Sequence, residues 1–501
     1  MPDRRADVWI GLALLACAWA VRLLFASQLV FPPLDDPAFY VQTARNLAAG
    51  RGLVTDVLWT YQFPFAQVTH PSHEYWMPLA TLLMAPSIRL LGDTQLAAQL
   101  PGTLCGALLV PLTYALGRRI APADRRKALA AAGWVLFGAL PIYQSASTDS
   151  TAPFALAAAS ALLCGAHAAV TGSRRWALAA GLLAGLAYLA RSDGLLVPIL
   201  LIGVLMARRR SWPLAGLLLA GFALPVVPWW LRNVAAFGVT QPVSPLIGAA
   251  LQDYPQLFNW NDPPTLAALL DKGLAFAAAL RAQALIHNLG VWAVMAFPFG
   301  LFGWLGCLDR RHAVLGLGLG YGVLLLLTTA VVFSIPTLAG LFYHSAGALV
   351  PWLAVGAVQV VAALGARRVS FGVAAAVLAS ALVVLQSAMA LPGAMDDGRL
   401  NQVKFDRAAA WLGENARPAE PVIASQAHSL NYASGQPSLS LPAGQELASL
   451  RDLARVYGAR FVVLTESFGR YPEEFDARVG QGIELRLDEP GLRIYELVGE
   501  P

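Results

Sequence analysis

Charge is the scarcest commodity in this 501-residue chain. Asp, Glu, Lys and Arg supply 13% of it, against roughly 25% in an ordinary soluble domain. That scarcity excludes a water-soluble protein over most of the length. Cysteine is rare too, with only Cys17, Cys105, Cys164 and Cys307. All four lie in apolar runs without CxxC spacing or a neighbouring His. They read as small buried residues, which excludes a disulfide frame and a cysteine metal site. The net charge is only +5, and the basic residues fall in short clusters. That pattern excludes a nucleic-acid footprint. No internal repeat occurs, and the only compositional bias is the Ala and Leu enrichment usual in spans.

What the chain does have is apolar sequence, 57% by count. Val8–Val30 is longer than the 7–15-residue core of a signal peptide. It matches the ~20 residues that cross a bilayer, so it reads as a retained first helix. The clusters Arg4-Arg5, Arg118-Arg119 with Arg125-Arg126-Lys127, Arg174-Arg175, Arg208-Arg209-Arg210, Arg310-Arg311 and Arg367-Arg368 read as cytoplasmic. An even number of crossings must separate them. Leu96–Leu116, Ala128–Ala146, Ala152–Val170, Trp176–Ala190, Leu195–Met206, Pro213–Trp230, Leu285–Leu308, Ala313–Phe333, Ala346–Leu364 and Val369–Leu391 satisfy that rule. With the first helix, this makes about eleven spans. Met77–Leu91 breaks the alternation and is short, so it is expected as an interfacial or re-entrant helix on the outer side.

The expectation is therefore an α-helical polytopic plasma-membrane protein with a cytoplasmic N-terminus. Residues 1–391 form the membrane domain, with outer loops at about 31–95 and 231–284. The second loop includes a helix over Pro264–Leu280. Residues 392–501 have soluble composition and read as a small extracytoplasmic α/β domain. Its helices are expected at Phe405–Asn415 and Leu447–Tyr457. Its strands are expected at Pro421–Ser425, Arg460–Thr465, Leu485–Leu487 and Leu492–Leu497.

Four constellations carry chemistry. Asp35-Asp36-Pro37 stands where the first span leaves the membrane. Paired carboxylates there suit a general base with a second acid tuning it. A plain helix N-cap explains Asp36 alone. His70-Pro71-Ser72-His73-Glu74-Tyr75-Trp76 offers His70, His73 and Glu74 to a divalent metal ion or a phosphate, although it lacks the HExxH pattern. An interfacial aromatic belt is the plain alternative. Thr148-Asp149-Ser150 is a tight outer turn, in which Asp149 either caps the next helix or faces the same surface as Asp36. In Arg191-Ser192-Asp193-Gly194, an outward Arg breaks the positive-inside pattern. It binds a lipid phosphate or pairs with Asp193. Arg22 is expected to snorkel.

In order and sidedness, these motifs resemble the GT-C glycosyltransferases that use polyprenyl-phosphate sugars, the group of the protein O-mannosyltransferases and the lipid A aminoarabinose transferases. Asp36 stands four residues before Tyr40 and eight before Ala44-Arg45, the spacing of that family's catalytic Asp and its following helix. His70-Pro71 and Glu74 to Leu79 look like its Pro-containing interfacial segment. Tyr114 to Arg119, Asp149, the Arg191–Gly194 turn and Tyr343-His344 with Pro351 match its later elements. Two positions depart: Pro37 follows Asp36 where Glu is frequent, and Tyr75 stands where a Lys often follows the loop acid.

The resemblance implies inverting transfer of a sugar from a polyprenyl-phosphate donor to an acceptor hydroxyl at the outer face. It implies Asp36, Asp35 and Asp149 as catalytic residues, and Arg191, His344, Tyr40, His70 and Tyr343 as substrate contacts. His73 and Glu74 would hold any metal. A secondary transporter would need ionisable groups near the bilayer centre and paired repeats. A non-catalytic envelope assembly protein is the other competing class.

Overall fold

The computed structural model describes residues 4–63, 65–209, 211–243, 245–295, 300–309, 312–332, 341–443, 447–465 and 479–498. Arg210, Arg310, Arg311 and Phe333 lie outside these described residues. Among them, eight helices are long and apolar enough to cross a membrane. The bent pair Arg125–Phe137 and Ala139–Ala146 makes a ninth. The protein is a multi-pass membrane protein. Two expected spans form helices below that length, Arg174–Ala190 with 17 residues and Leu196–Arg209 with 14. The expected span Leu285–Leu308 is instead two helices, Leu274–Met295 and Gly300–Cys307. The expected loop helix Pro264–Leu280 is cut at Gly273, whose φ of +93° stops Leu266–Asp271 and lets a new helix start.

The basic residues gather at one end of the bundle. Asp7 on the first helix accepts from Tyr114 Oη at 2.7 Å and pairs with Arg118 at 3.3 Å and Arg125 at 2.9 Å. Helices Arg174–Ala190 and Trp212–Phe237 touch backbone to backbone because Gly181 and Gly221 carry no Cβ, the usual route to close packing in lipid.

Arg22 does not snorkel. It is fully buried, and its guanidinium donates to Ala18 O at 3.2 Å and Val135 O at 3.3 Å. The reason lies in the bent pair, which turns by 52° at Gly138. Pro141 has no N–H to give Phe137 O, so the last carbonyls of Arg125–Phe137 need other donors. Ser387 takes Phe137 O and Arg22 takes Val135 O.

The opposite end carries the short helices and the sheet. Leu79–Leu91 does not cross, since both of its flanks stay at this end. Asp93 pairs with Arg45 at 2.6 Å, and Ser72 O accepts from Arg232 at 2.9 Å. The last span does not stop at Leu391. Val369–Asn415 is one helix of 47 residues, about 70 Å at 1.5 Å per residue. Phe405, Ala408 and Leu412 on it enter the core of the C-terminal region. There a six-stranded sheet runs Val57–Leu58, Ser438–Ser440, Val422–Ala424, Phe461–Thr465, Leu492–Leu497, Ile483–Glu489. The first strand comes from the loop after the first span. Its pairing with Ser438–Ser440 is parallel, Val57 opposite Ser438.

Candidate active site

Asp35–Ala48 is the helix that positions the acids. Its N-cap is Leu34, in extended conformation, so Asp35 and Asp36 both lie inside the first turn. Asp36 is therefore no N-cap, and its carboxylate is available. Two acids in a first turn also suit the helix dipole. The Trp76 indole lies beside Asp36 and favours its charged form.

Asp149 approaches from Ser147–Ser150. Thr148 sits at φ +57°, an uncommon and costly conformation for a β-branched residue. That kink turns Asp149 inward, where Oδ1 accepts from Ser150 N and, at 3.1 Å, from Ser150 Oγ. Oδ2 faces His344 Nδ1 at 3.0 Å. Asp149 is thus not the cap of the following helix, whose N-cap is Ser150. Tyr40, one turn beyond Asp36, brings its hydroxyl beside Ser150.

Arg191 ends helix Arg174–Ala190 and begins a 3-10 turn, Ser192–Leu195. Gly194 lets that turn fold back on the helix, since a Cβ there would lie 2.5 Å from the backbone of Ala187 and Tyr188. The turn brings Asp193 Oδ1 to 3.3 Å from Arg191 Nε. Arg191 Nε donates to Ser345 Oγ at 2.9 Å, and Ser345 Oγ donates in turn to Asp193 Oδ2. Arg191 therefore pairs with Asp193, and its charge also acts on Asp36 and Asp149.

The electrostatics separate the acids. Burial pushes the Asp36 carboxyl up to about 6, the Asp149 charge adds to the rise, and His344 and Arg191 oppose it. Burial pushes Asp149 up as well, but His344 beside it and the Arg191 charge hold it below the usual carboxylate range. Two acids driven apart in this way assign themselves different tasks. Asp149 and His344 are each only 7% exposed, whereas Asp36 keeps part of its surface open. Of these two acids, Asp36 is the more exposed.

A model of the family described as dolichyl-phosphate-mannose-protein mannosyltransferase matches residues 69–231. No curated protein matches the chain in sequence. Among solved structures, ArnT from Cupriavidus metallidurans in the apo state is similar over 99% of this chain and 100% of its own, at 14% identity and a TM-score of 0.61. The same protein bound to undecaprenyl phosphate is similar over 100% of both chains, at 14% identity and 0.57. The Archaeoglobus fulgidus oligosaccharyltransferase in complex with Zn and sulfate is similar over 89% of this chain and 68% of its own, at 14% identity and 0.55. The chain has the GT-C fold.

Within this GT-C bundle, Asp36, Asp149, Arg191, His344 and Tyr40 act on one another. Tyr343 borders them, its ring centroid 5.3 Å from that of His344 and its carbonyl facing Gln144 Nε2 at 3.5 Å. Asp35 turns to Ser429, whose N–H and hydroxyl both reach Oδ1 at 2.9 Å. His70 is occupied elsewhere: Nδ1 lies 2.7 Å from Val68 O, Nε2 is 3.6 Å from Glu74, and Phe65 stacks on the ring at 3.7 Å.

His73 and Glu74 do not form a metal pair. His73 spends Nδ1 on Ser72 Oγ at 2.8 Å and Nε2 on Thr81 Oγ1 at 3.1 Å, while Glu74 faces His70. Among the described residues, no group of three or more His, Cys, Asp or Glu fits a metal ion. Sequence reasoning missed Ser345 and Ser429, and it gave Ser150 and Trp76 no role beyond the turn and the interfacial segment that contain them. Ser345 carried one signal, its place beside Tyr343-His344. Ser429, 394 positions from Asp35, carried none.

Proposed function

We propose that this protein transfers a sugar from a polyprenyl-phosphate donor to an acceptor hydroxyl, with inversion, at the end of the bundle that carries the sheet. By the positive-inside rule the basic end is cytoplasmic and the reaction face is external. The observation that carries the reading is the split between a partly exposed Asp36 near pKa 6 and a buried Asp149 held below the usual carboxylate range, with the Arg191 guanidinium and the His344 imidazole beside them.

Asp36 accepts the acceptor's O–H proton as the oxygen attacks the anomeric carbon. A base with a pKa near the working pH suits that step. The bond from the anomeric carbon to the phosphate oxygen breaks on the opposite face, and polyprenyl phosphate leaves with the electron pair. That leaving group is already ionised and needs positive charge in place of a proton. Arg191 and His344 supply it. Asp149 holds His344 in place, while Asp193 and Ser345 hold Arg191. The GT-C neighbour solved with undecaprenyl phosphate supports a lipid phosphate as the carrier.

The test is transfer from a panel of radiolabelled polyprenyl-phosphate sugars by the purified protein, with Asp36→Asn alongside. Release of polyprenyl phosphate from at least one donor, abolished in Asp36→Asn, is the expected result. Turnover that survives in Asp36→Asn, or none with any donor, overturns the reading.

A further inference from the structure

The sheet-bearing domain contributes a helix, Ala427–Ser434, that lies against the helix of the two aspartates. We propose that this helix is a positioning element for catalysis, gripping Asp35 so that the turn carrying Asp36 is held in place. The proposal rests on the reading of Asp36 as the base.

The contacts are specific at both ends. At the N-terminal turn, Asp35 Oδ1 takes two hydrogen bonds from Ser429, N–H and Oγ, each 2.9 Å. A helix start offers unpaired N–H groups and a positive dipole end, which favour a carboxylate. At the C-terminal end, Arg45 donates to Tyr432 O at 3.1 Å and stacks its guanidinium 4.1 Å from the Tyr432 ring. A cation at the negative dipole end completes the match. Asp35 and Arg45 both belong to Asp35–Ala48, so one helix grips the other along its length.

Next to Ser429 lies His428, fully buried, with neither ring nitrogen hydrogen-bonded. Its ring packs edge-on against Phe39 at 5.1 Å and Trp76 at 5.3 Å. Trp76 is the indole beside Asp36. His428 therefore works by shape, bracing the indole that orients the base.

Consecutive residues on a helix diverge by about 100°. Asp35 faces the domain while Asp36 faces His344, Asp149 and Arg191. Gripping one fixes the rotation of the other about the helix axis. Displacement of a reacting group by about 1 Å costs roughly 10²-fold in rate.

The test uses the full chain. Asp35→Asn keeps an oxygen that accepts both Ser429 bonds, whereas Asp35→Ala keeps none. Asp35→Ala should lower kcat about ten- to hundredfold with donor KM nearly unchanged. Asp35→Asn should recover most of that loss. Ser429→Ala should fall between, and adding it to Asp35→Ala should cost nothing more. Equal losses in Asn and Ala would overturn the proposal, because the charge of Asp35 would then be what matters. Unchanged kcat in Ser429→Ala with a lowered Tm would overturn it too, leaving a contact that only stabilises. If Asp35→Ala does not fold, Ser429→Ala decides alone. A wild-type rate in Asp36→Asn, measured in parallel, marks failure of the base reading and is separate from all of these results.

Discussion

His344 Nδ1 stands 3.0 Å from Asp149 Oδ2, and both side chains are buried. That contact keeps one acid ionised and leaves the rise in pKa to its neighbour, Asp36. The imidazole touches only one of the two acids, although His344 and Arg191 act electrostatically on both.

A general base is active only when ionised. With the Asp36 carboxyl raised to about 6, the transfer rate should climb as pH rises through about 6 and then level off. Asp36→Asn should lower the plateau about 10²–10⁴-fold and abolish that acid limb. A limb near the ordinary carboxylate value of about 4 would contradict the assignment.

The His344 charge holds the Asp36 pKa down. His344→Gln removes that charge, so the acid limb should move to higher pH, not lower. The pH–rate profile of the variant gives the sign directly. A shift to lower pH would mean that His344 does not act on Asp36 as a cation.

Arg191 should bind the donor phosphate. A hydrogen bond to a charged group contributes about 1.5–3 kcal/mol, so Arg191→Ala should weaken donor affinity roughly tenfold or more. Arg174→Ala, at the opposite end of the same helix, should leave it unchanged. Arg191→Lys should not restore it, since an ammonium lacks the flat fork that Arg offers to Ser345, Asp193 and a phosphate together. Donor titration alongside thermal stability separates this from a local pair: Arg191→Ala and Asp193→Ala with equal Tm losses and wild-type affinity would leave only the pair.

Arg22 should matter for stability and not for donor recognition. Arg22→Ala strips Val135 O of its donor at the helix bend, and a buried polar group left unpaired costs about 1–3 kcal/mol. Tm should fall while donor KM stays put. A donor KM that rises with Arg22→Ala would place Arg22 in the substrate path.

Much of the membrane part was legible. Length and apolarity are local properties, so the helices from Arg4–Ala26 to Val350–Arg367 fall near their expected bounds. Where a conformational break intervened, legibility failed. Gly273 moved one helix start, and Pro141 with Gly138 bent another span. Asp36, Asp149, Arg191 and His344 were legible as ionisable residues at expected helix ends. Their mutual contacts were not, nor was the diversion of Asp35 and His70 to other partners.

The sequence by itself determined a charge-poor, multi-span chain with acids and cations at one set of helix ends, because desolvation penalties act residue by residue and leave a composition signal. Only the tertiary structure decided which of those groups meet. Pairing His344 with Asp149, Asp35 with Ser429 and Val57 with Ser438 joins positions 195, 394 and 381 residues apart. No periodicity records such contacts. They exist because the folded bundle and sheet bring the groups within reach of one another.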